Sequence, residues 1–287
     1  MIARLTQLLK RYPLIAGFVM MFAFTWPVDL ALAAQSRGIM ISSIVPILAI
    51  FVGYGFVAAA LIMTGMVEGR AGIRALLRGF LVWRVGVTWY IVALFGPAAM
   101  ILLALGIHVL LGGAAPDFSH PMVRGILGPS VNLWYAAAGW LLFGILTNGE
   151  EIGWRGYALP RLQARYNAVV ASLIIGVIWA AWHLPKFWTP GSAQDYPFWM
   201  YLLALFPEAI LYTWVYNNTR RSLLLVTLLH AAVNAAAVCL PDTTADLHLY
   251  WTEIGIRYVL AIIVVLVAGP QLVRRPAPGP AGIPEPI

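Results

Sequence analysis

Long apolar runs broken by short clusters of arginine, glycine and proline set the pattern of this chain. A hydrocarbon layer takes about 20 apolar residues of helix to cross, and about eight stretches come near that length. They are Leu14–Ala34, Ile41–Met66, Val87–Leu111, Val131–Leu159, Ala168–Leu184, Phe198–Tyr216, Leu223–Leu240 and Tyr250–Leu272. The pattern predicts an all-α fold, a polytopic transmembrane helix bundle of about eight spans with an intramembrane polar cavity. Between the second and third spans, Glu68–Val85 sets Arg70, Arg74 and Arg78 four apart with apolar residues between them. That spacing predicts an amphipathic helix in the membrane interface, although a loop helix with solvated arginines has the same signature. Pro276–Ile287 is rich in Pro and Gly and reads as a disordered tail.

Three of the apolar stretches carry strongly polar side chains: Glu150 and Glu151 in the fourth, His183 in the fifth, His230 and Asn234 in the seventh. A charge inside a bilayer costs several kcal/mol, so such groups are paired or functional. Depth follows from a helical rise of about 1.5 Å per residue, with Arg161, Asn167 and Arg221 taken at the boundary. If the fourth helix is continuous, the two glutamates lie roughly 15 Å deep, His230 about 14 Å, and His183 and Asn234 roughly 20–24 Å. Breaks at Gly149, Gly153 or Gly156 would instead bring the glutamates to the surface. His230 and Asn234, at i and i+4, share a face, as do Glu151 and Arg155 with the acid first. Trp154 shares a face with Glu150, and Trp179 lies one turn before His183. Both are expected to keep the site apolar.

Composition agrees with the spans. The chain is 62% hydrophobic and 10% charged, against roughly 45–50% and about 25% in soluble domains. The net charge of +7 falls in alternate loops, at Arg4, Lys10 and Arg11, then Arg70 to Arg84, Arg161 and Arg165, Arg220 and Arg221, and Arg274 and Arg275. Asp117, Asp195, Asp242 and Asp246 occupy the opposite loops. This is the positive-inside pattern with both termini cytoplasmic, and it disfavours a nucleic-acid partner. Met1–Arg11 leads into an apolar run too long for a cleaved signal peptide. The one cysteine, Cys239, is expected in packing and excludes a disulfide framework. Glu208, after Pro207 in the sixth span, either pairs with a base or lines the cavity. His108, His120 and His248 are expected at the surface.

The segment Glu150-Glu151-Ile152-Gly153-Trp154-Arg155 resembles the EExxxR signature of the CPBP family, the CAAX-protease and bacteriocin-processing intramembrane peptidases. Trp179 to His183 is similar to that family's second motif, an aromatic residue four positions before a histidine, with Trp in place of the usual Phe. His230 to Asn234 matches the third, HxxxN, and Thr213-Trp214 before Arg220-Arg221-Ser222 has the family's look. The resemblance runs over roughly Val131–Leu240. It divides the chain into N-terminal transmembrane helices with the interfacial helix (1–130), a catalytic core (131–240), a last helix (241–275) and the tail (276–287). It implies Glu150 as general base on water, His183 as its helper, His230 and Asn234 as oxyanion donors, and Glu151 and Arg155 in support. No cofactor is implied, and the substrates would be membrane-associated peptides or proteins: prenylated, CAAX-like or bacteriocin-like. A compact single chain of this kind points to a bacterial cell membrane.

Other readings of the same residues stand beside this one. Two histidines and a carboxylate are a familiar catalytic zinc set, though HExxH is absent. Intramembrane Glu and His chains also serve proton-coupled transporters, or the chain is a non-catalytic scaffold. Taken singly, Glu150-Glu151 reads as a solvated helix end, His183 as interfacial, and His230 with Asn234 as interhelical hydrogen-bonding glue.

Overall fold

The computed structural model describes residues 2–119, 121–190 and 196–273. His120, Asp195, Arg274, Arg275 and the tail 276–287 lie outside the described residues, as does the side chain of Arg4. Every long element is helical: α1 (Ile2–Arg11), α2 (Pro13–Gln35), α3 (Val45–Ile50), α4 (Tyr54–Arg78), α5 (Val87–Leu110), α6 (Met122–Leu127) and α7 (Leu133–Thr147) in the first half. A π-helical segment (Ile152–Ala158) follows, then α8 (Leu159–Gln163), α9 (Ala168–Trp182), α10 (Leu184–Phe187), α11 (Phe198–Asn218), α12 (Leu223–Cys239) and α13 (Leu247–Ala268). Helices α2, α4, α5, α11 and α13 are long and apolar enough to cross a membrane, while α7, α9 and α12 are apolar but only 15, 15 and 17 residues long. Their lipid-facing sides carry exposed Ile15, Val19, Phe95, Leu142, Leu266 and Val267, as an integral membrane protein requires. The polar groups singled out in the sequence lie just after α7 and α9 and on α12.

Two sequence expectations need correction. The stretch Ile41–Met66 is not one helix: α3 is a single short turn, and α4 begins at Tyr54 and runs on to Arg78, kinked at Gly69 with φ 68. Only glycine takes that backbone without strain. The expected amphipathic segment is therefore helical to Arg78 and in a 3₁₀ turn to Leu81, with Arg70, Arg74 and Arg78 exposed, and non-helical from Val82 to Gly86. The fourth stretch, Val131–Leu159, is also broken. Helix α7 stops at Thr147, Asn148 is extended (φ −84, ψ 97), and its Oδ1 accepts the Glu150 N–H at 3.0 Å to start the next segment. Gly149 presses against the Gly53 carbonyl and Val57, where a Cβ would not fit. The break does not surface the glutamates: Glu151 is fully buried and Glu150 half-buried.

The helices close around the break. The segment 150–163 is wedged between α2, α4 and α12; Phe56 of α4 packs edge-on against both Trp154 and Trp182 at about 5 Å between ring centres. Helix α12 packs between α5 and α7, and α9 lies along α11. Polar ties fix the ends. Trp182 Nε1 donates to Thr25 Oγ1 (2.7 Å), Tyr157 donates to the Pro13 carbonyl (2.5 Å), and Ser222 donates to the Val82 carbonyl (2.6 Å) while capping α12. Asp246 caps α13 by accepting the Leu249 N–H, which holds its carboxyl below the usual carboxylate range. His108 is buried, not at the surface, because the chain turns back at Gly112 (φ 89) and lays Gly113 on its ring.

Candidate active site

Glu150, His183, His230 and Asn234 meet in the wall of one cavity of about 490 Å³. They reach it from three elements: the start of the segment after the Asn148–Gly149 break, the C-terminal cap of α9, and one face of α12. Glu151 and Arg155 lie behind this wall with no exposure. The Glu151 carboxylate accepts from Arg155 Nη1 at 3.0 Å and from His230 Nδ1 at 2.8 Å, both through Oε1. A carboxylate so buried needs that company. The guanidinium lies against two rings, 4.7 Å from the centre of Trp179 and 4.4 Å from that of Tyr212, a desolvated cation–π arrangement.

The hydrogen bonds assign protons. A backbone carbonyl only accepts, so the 3.0 Å contact between His183 Nδ1 and the Trp179 carbonyl puts the proton on Nδ1. Nε2 of His183 is then a lone-pair acceptor. His230 likewise gives Nδ1–H to Glu151, leaving its Nε2 for other partners. Glu150 uses Oε2 to accept two indole N–H groups, Trp179 at 2.9 Å and Trp154 at 3.3 Å. Its Oε1 takes no bond from the described residues. Asn234, half-buried in the same wall, makes no side-chain hydrogen bond among them either.

The two tryptophans depart from expectation. They were to supply apolar surroundings, yet each points its one polar atom at Glu150. Phe at 179 would have given the first role without the second. The sequence also passed over Tyr212, whose ring stands edge-on to Trp179 and His230, and Asp29, buried in α2 with Oδ2 lacking a hydrogen-bond partner among the described residues. An acid within the apolar run of the first span was the available signal for Asp29. Glu208 takes both of its foreseen places. Its Oε2 pairs with Arg257 Nη1 at 2.8 Å, Arg257 also pairs with Glu253, and all three line the cavity. Tyr196 closes the cavity beside them, and burial pushes its phenol up to about 12, so it stays a neutral donor.

Metal ligation asks for three or more such side chains converging, and no group of His, Cys, Asp and Glu does so among the described residues. What the arrangement offers is a carboxylate with one oxygen held and one open, an acceptor imidazole, a second imidazole backed by a carboxylate, and a carboxamide. Those are the parts for moving protons to and from a water and for binding a developing negative charge.

Comparison with known proteins points the same way. Residues 128–236 match the family model described as type II CAAX prenyl endopeptidase, Rce1-like. The chain is 29% identical over 175 residues to CAAX prenyl protease 2 of Methanococcus maripaludis; the alignment takes in 58% of this chain and 61% of that protein. Residues 128–236 are thus similar to the Rce1-like type II CAAX prenyl endopeptidases, and the chain spans about 61% of the length of the curated relative it matches.

Proposed function

We propose that the protein is an intramembrane endopeptidase that cleaves peptide bonds with a water activated by Glu150. The convergence of Glu150, His183, His230 and Asn234 on one cavity carries this reading. Glu150 takes the water proton on its open oxygen while His183 Nε2 orients the same water. The hydroxide adds to the carbonyl carbon, and the carbonyl oxygen becomes an oxyanion. His230 donates to it from Nε2 when the ring carries its second proton, and the Glu151 carboxylate at 2.8 Å stabilises that imidazolium. The Asn234 carboxamide donates beside it. As the tetrahedral intermediate collapses, protonated Glu150 passes its proton to the leaving amine, which returns the carboxylate.

The substrate we infer is a peptide or protein presented at the membrane with an apolar tail. A second cavity of about 530 Å³, lined by apolar and aromatic residues, runs between α5, α11, α12 and α13. It shares Pro97, Met100, Leu211 and Leu229 with the wall of the first. The name of the Methanococcus maripaludis relative, a CAAX prenyl protease, favours a lipidated C-terminal tail. Residues 131–240 are the catalytic core in this reading, which the match at 128–236 supports. We place the arginine-bearing loops, and both ends of the chain, on the cytoplasmic side of a cell membrane.

The test is cleavage of a fluorogenic peptide with and without a C-terminal isoprenoid, by protein purified in detergent. Glu150→Gln keeps shape and hydrogen bonding but cannot take the proton, and activity should fall at least about 100-fold. Retention of more than about a tenth of the wild-type rate would remove Glu150 as base.

A further inference from the structure

Trp179 touches five members of the candidate site, and we propose that its indole N–H, rather than its bulk, positions Glu150 for reaction. The proposal rests on the peptidase reading above. Helix α9 places Trp179 one turn before His183, with 3% of its surface exposed. Its separate parts then do separate things. The backbone carbonyl takes the His183 Nδ1 proton, the ring face meets Arg155, and the ring lies within 5.6 Å of the centres of Tyr212 and His230. The N–H alone reaches Glu150, at 2.9 Å.

The terminal torsion of a glutamate is broad, so a carboxylate without donors samples many orientations. Both indoles bind the same oxygen, Oε2, which fixes the plane of the group and turns Oε1 away from them. Trp154 comes from the same helical turn as Glu150, so its longer bond of 3.3 Å moves with the glutamate. Trp179 belongs to α9, which also carries His183, so its bond locks the base to the partner that must share the water. A phenylalanine at 179 keeps an aromatic face for Arg155 and the carbonyl for His183, and loses this link together with the second ring, which an indole isostere without the N–H retains. Trp179 is thus a positioning residue acting through Glu150.

The experiment compares the wild-type protein, Trp179→Phe, and a full-length protein with 3-benzothienylalanine at position 179, which keeps the two-ring shape but carries sulfur in place of N–H. Both changes should lower kcat by about 10- to 100-fold, the size of one hydrogen bond to a charged group. KM should stay within about twofold, since the group acts in the chemical step. The benzothienyl protein should also melt at the wild-type temperature. Wild-type kcat in that protein would overturn the proposal, and so would a loss matched by a falling folded fraction. Inactivity of Glu150→Gln alongside a fully active benzothienyl protein would sink this proposal and leave the peptidase reading standing. Activity in Glu150→Gln would sink the reading itself.

Discussion

Replacing Arg155 by Met strips the buried Glu151 carboxylate of its cation while leaving a side chain of similar reach. Neither residue has any exposed surface, and the pair is joined at 3.0 Å. Removing one partner of such a pair costs about 3–5 kcal/mol, because the other is left charged in a low-dielectric interior. His230 remains 2.8 Å from Glu151 and takes up part of the charge, which puts Arg155→Met near the lower figure, about 3 kcal/mol. Glu151→Gln leaves the guanidinium worse off. Among the described residues its Nε and Nη2 already have no hydrogen-bond partner, and the Trp179 and Tyr212 rings are what would then face it. That change should cost nearer 5 kcal/mol. The double variant leaves neither charge stranded, so it should recover at least about 2 kcal/mol of the summed losses, within the range measured for contacting residues. Unfolding free energies of the four proteins, from sodium dodecyl sulfate titration in mixed micelles followed by tryptophan fluorescence, give the coupling directly. Additivity within about 0.5 kcal/mol would refute the reasoning, since it would mean that the two groups do not hold each other.

Asn234→Ala should lower kcat about 10²–10³-fold with little change in KM if its carboxamide binds the oxyanion; a lowered melting point with normal kcat would make it interhelical glue instead. Gly149→Ala should reduce both melting temperature and activity, because its Cβ meets the Gly53 carbonyl and Val57, whereas Gly255→Ala, with open space around it, should change neither. In a Cys239→Ser background, single cysteines at Arg161 and Arg220 should label from one side of the membrane and those at Asp117 and Asp242 from the other; finding 161 and 220 on opposite faces would overturn the arrangement of spans.

How much of this was readable beforehand differed from residue to residue. Six of the eight apolar stretches map onto single helices almost end to end, because in lipid the backbone satisfies itself within each segment and apolar length alone reports it. The break at Asn148 was foreseen only as a risk at Gly149. Apolar residues continue on both sides of it, and what ends α7 is an asparagine side chain reaching forward to accept the N–H two residues on, together with a glycine-to-glycine contact at the start of α4. The polar residues were picked out by their cost in an apolar run, but the orientation of Trp154 and Trp179 was not. An indole reads as bulk in sequence, and its single donor shows only when a second helix brings an acceptor to it. His108 was misjudged for a related reason: its cover comes from a glycine turn after the helix end. Asp29 went unremarked because one acid hardly dents a long apolar run.

The seven-residue π-helical segment, Ile152–Ala158, has a consequence for chain length. Such a wide turn is an α-helix holding more residue than its pitch calls for. Losing Ile152 or Gly153 there would let the coil tighten and bring Arg155 one position, about 100° of helix, closer to Glu151. Arg155 and the glutamates would then no longer face their present partners together, even with every side chain of the site still encoded. Arg155 lies inside the wide turn and Glu151 just before it, so the ion pair behind the wall is registered by backbone count as much as by charge. The spacing between the glutamates and the arginine is therefore an angular setting: insertions and deletions belong in loops such as Gly112–Asp117, where the chain turns without carrying any group of the site.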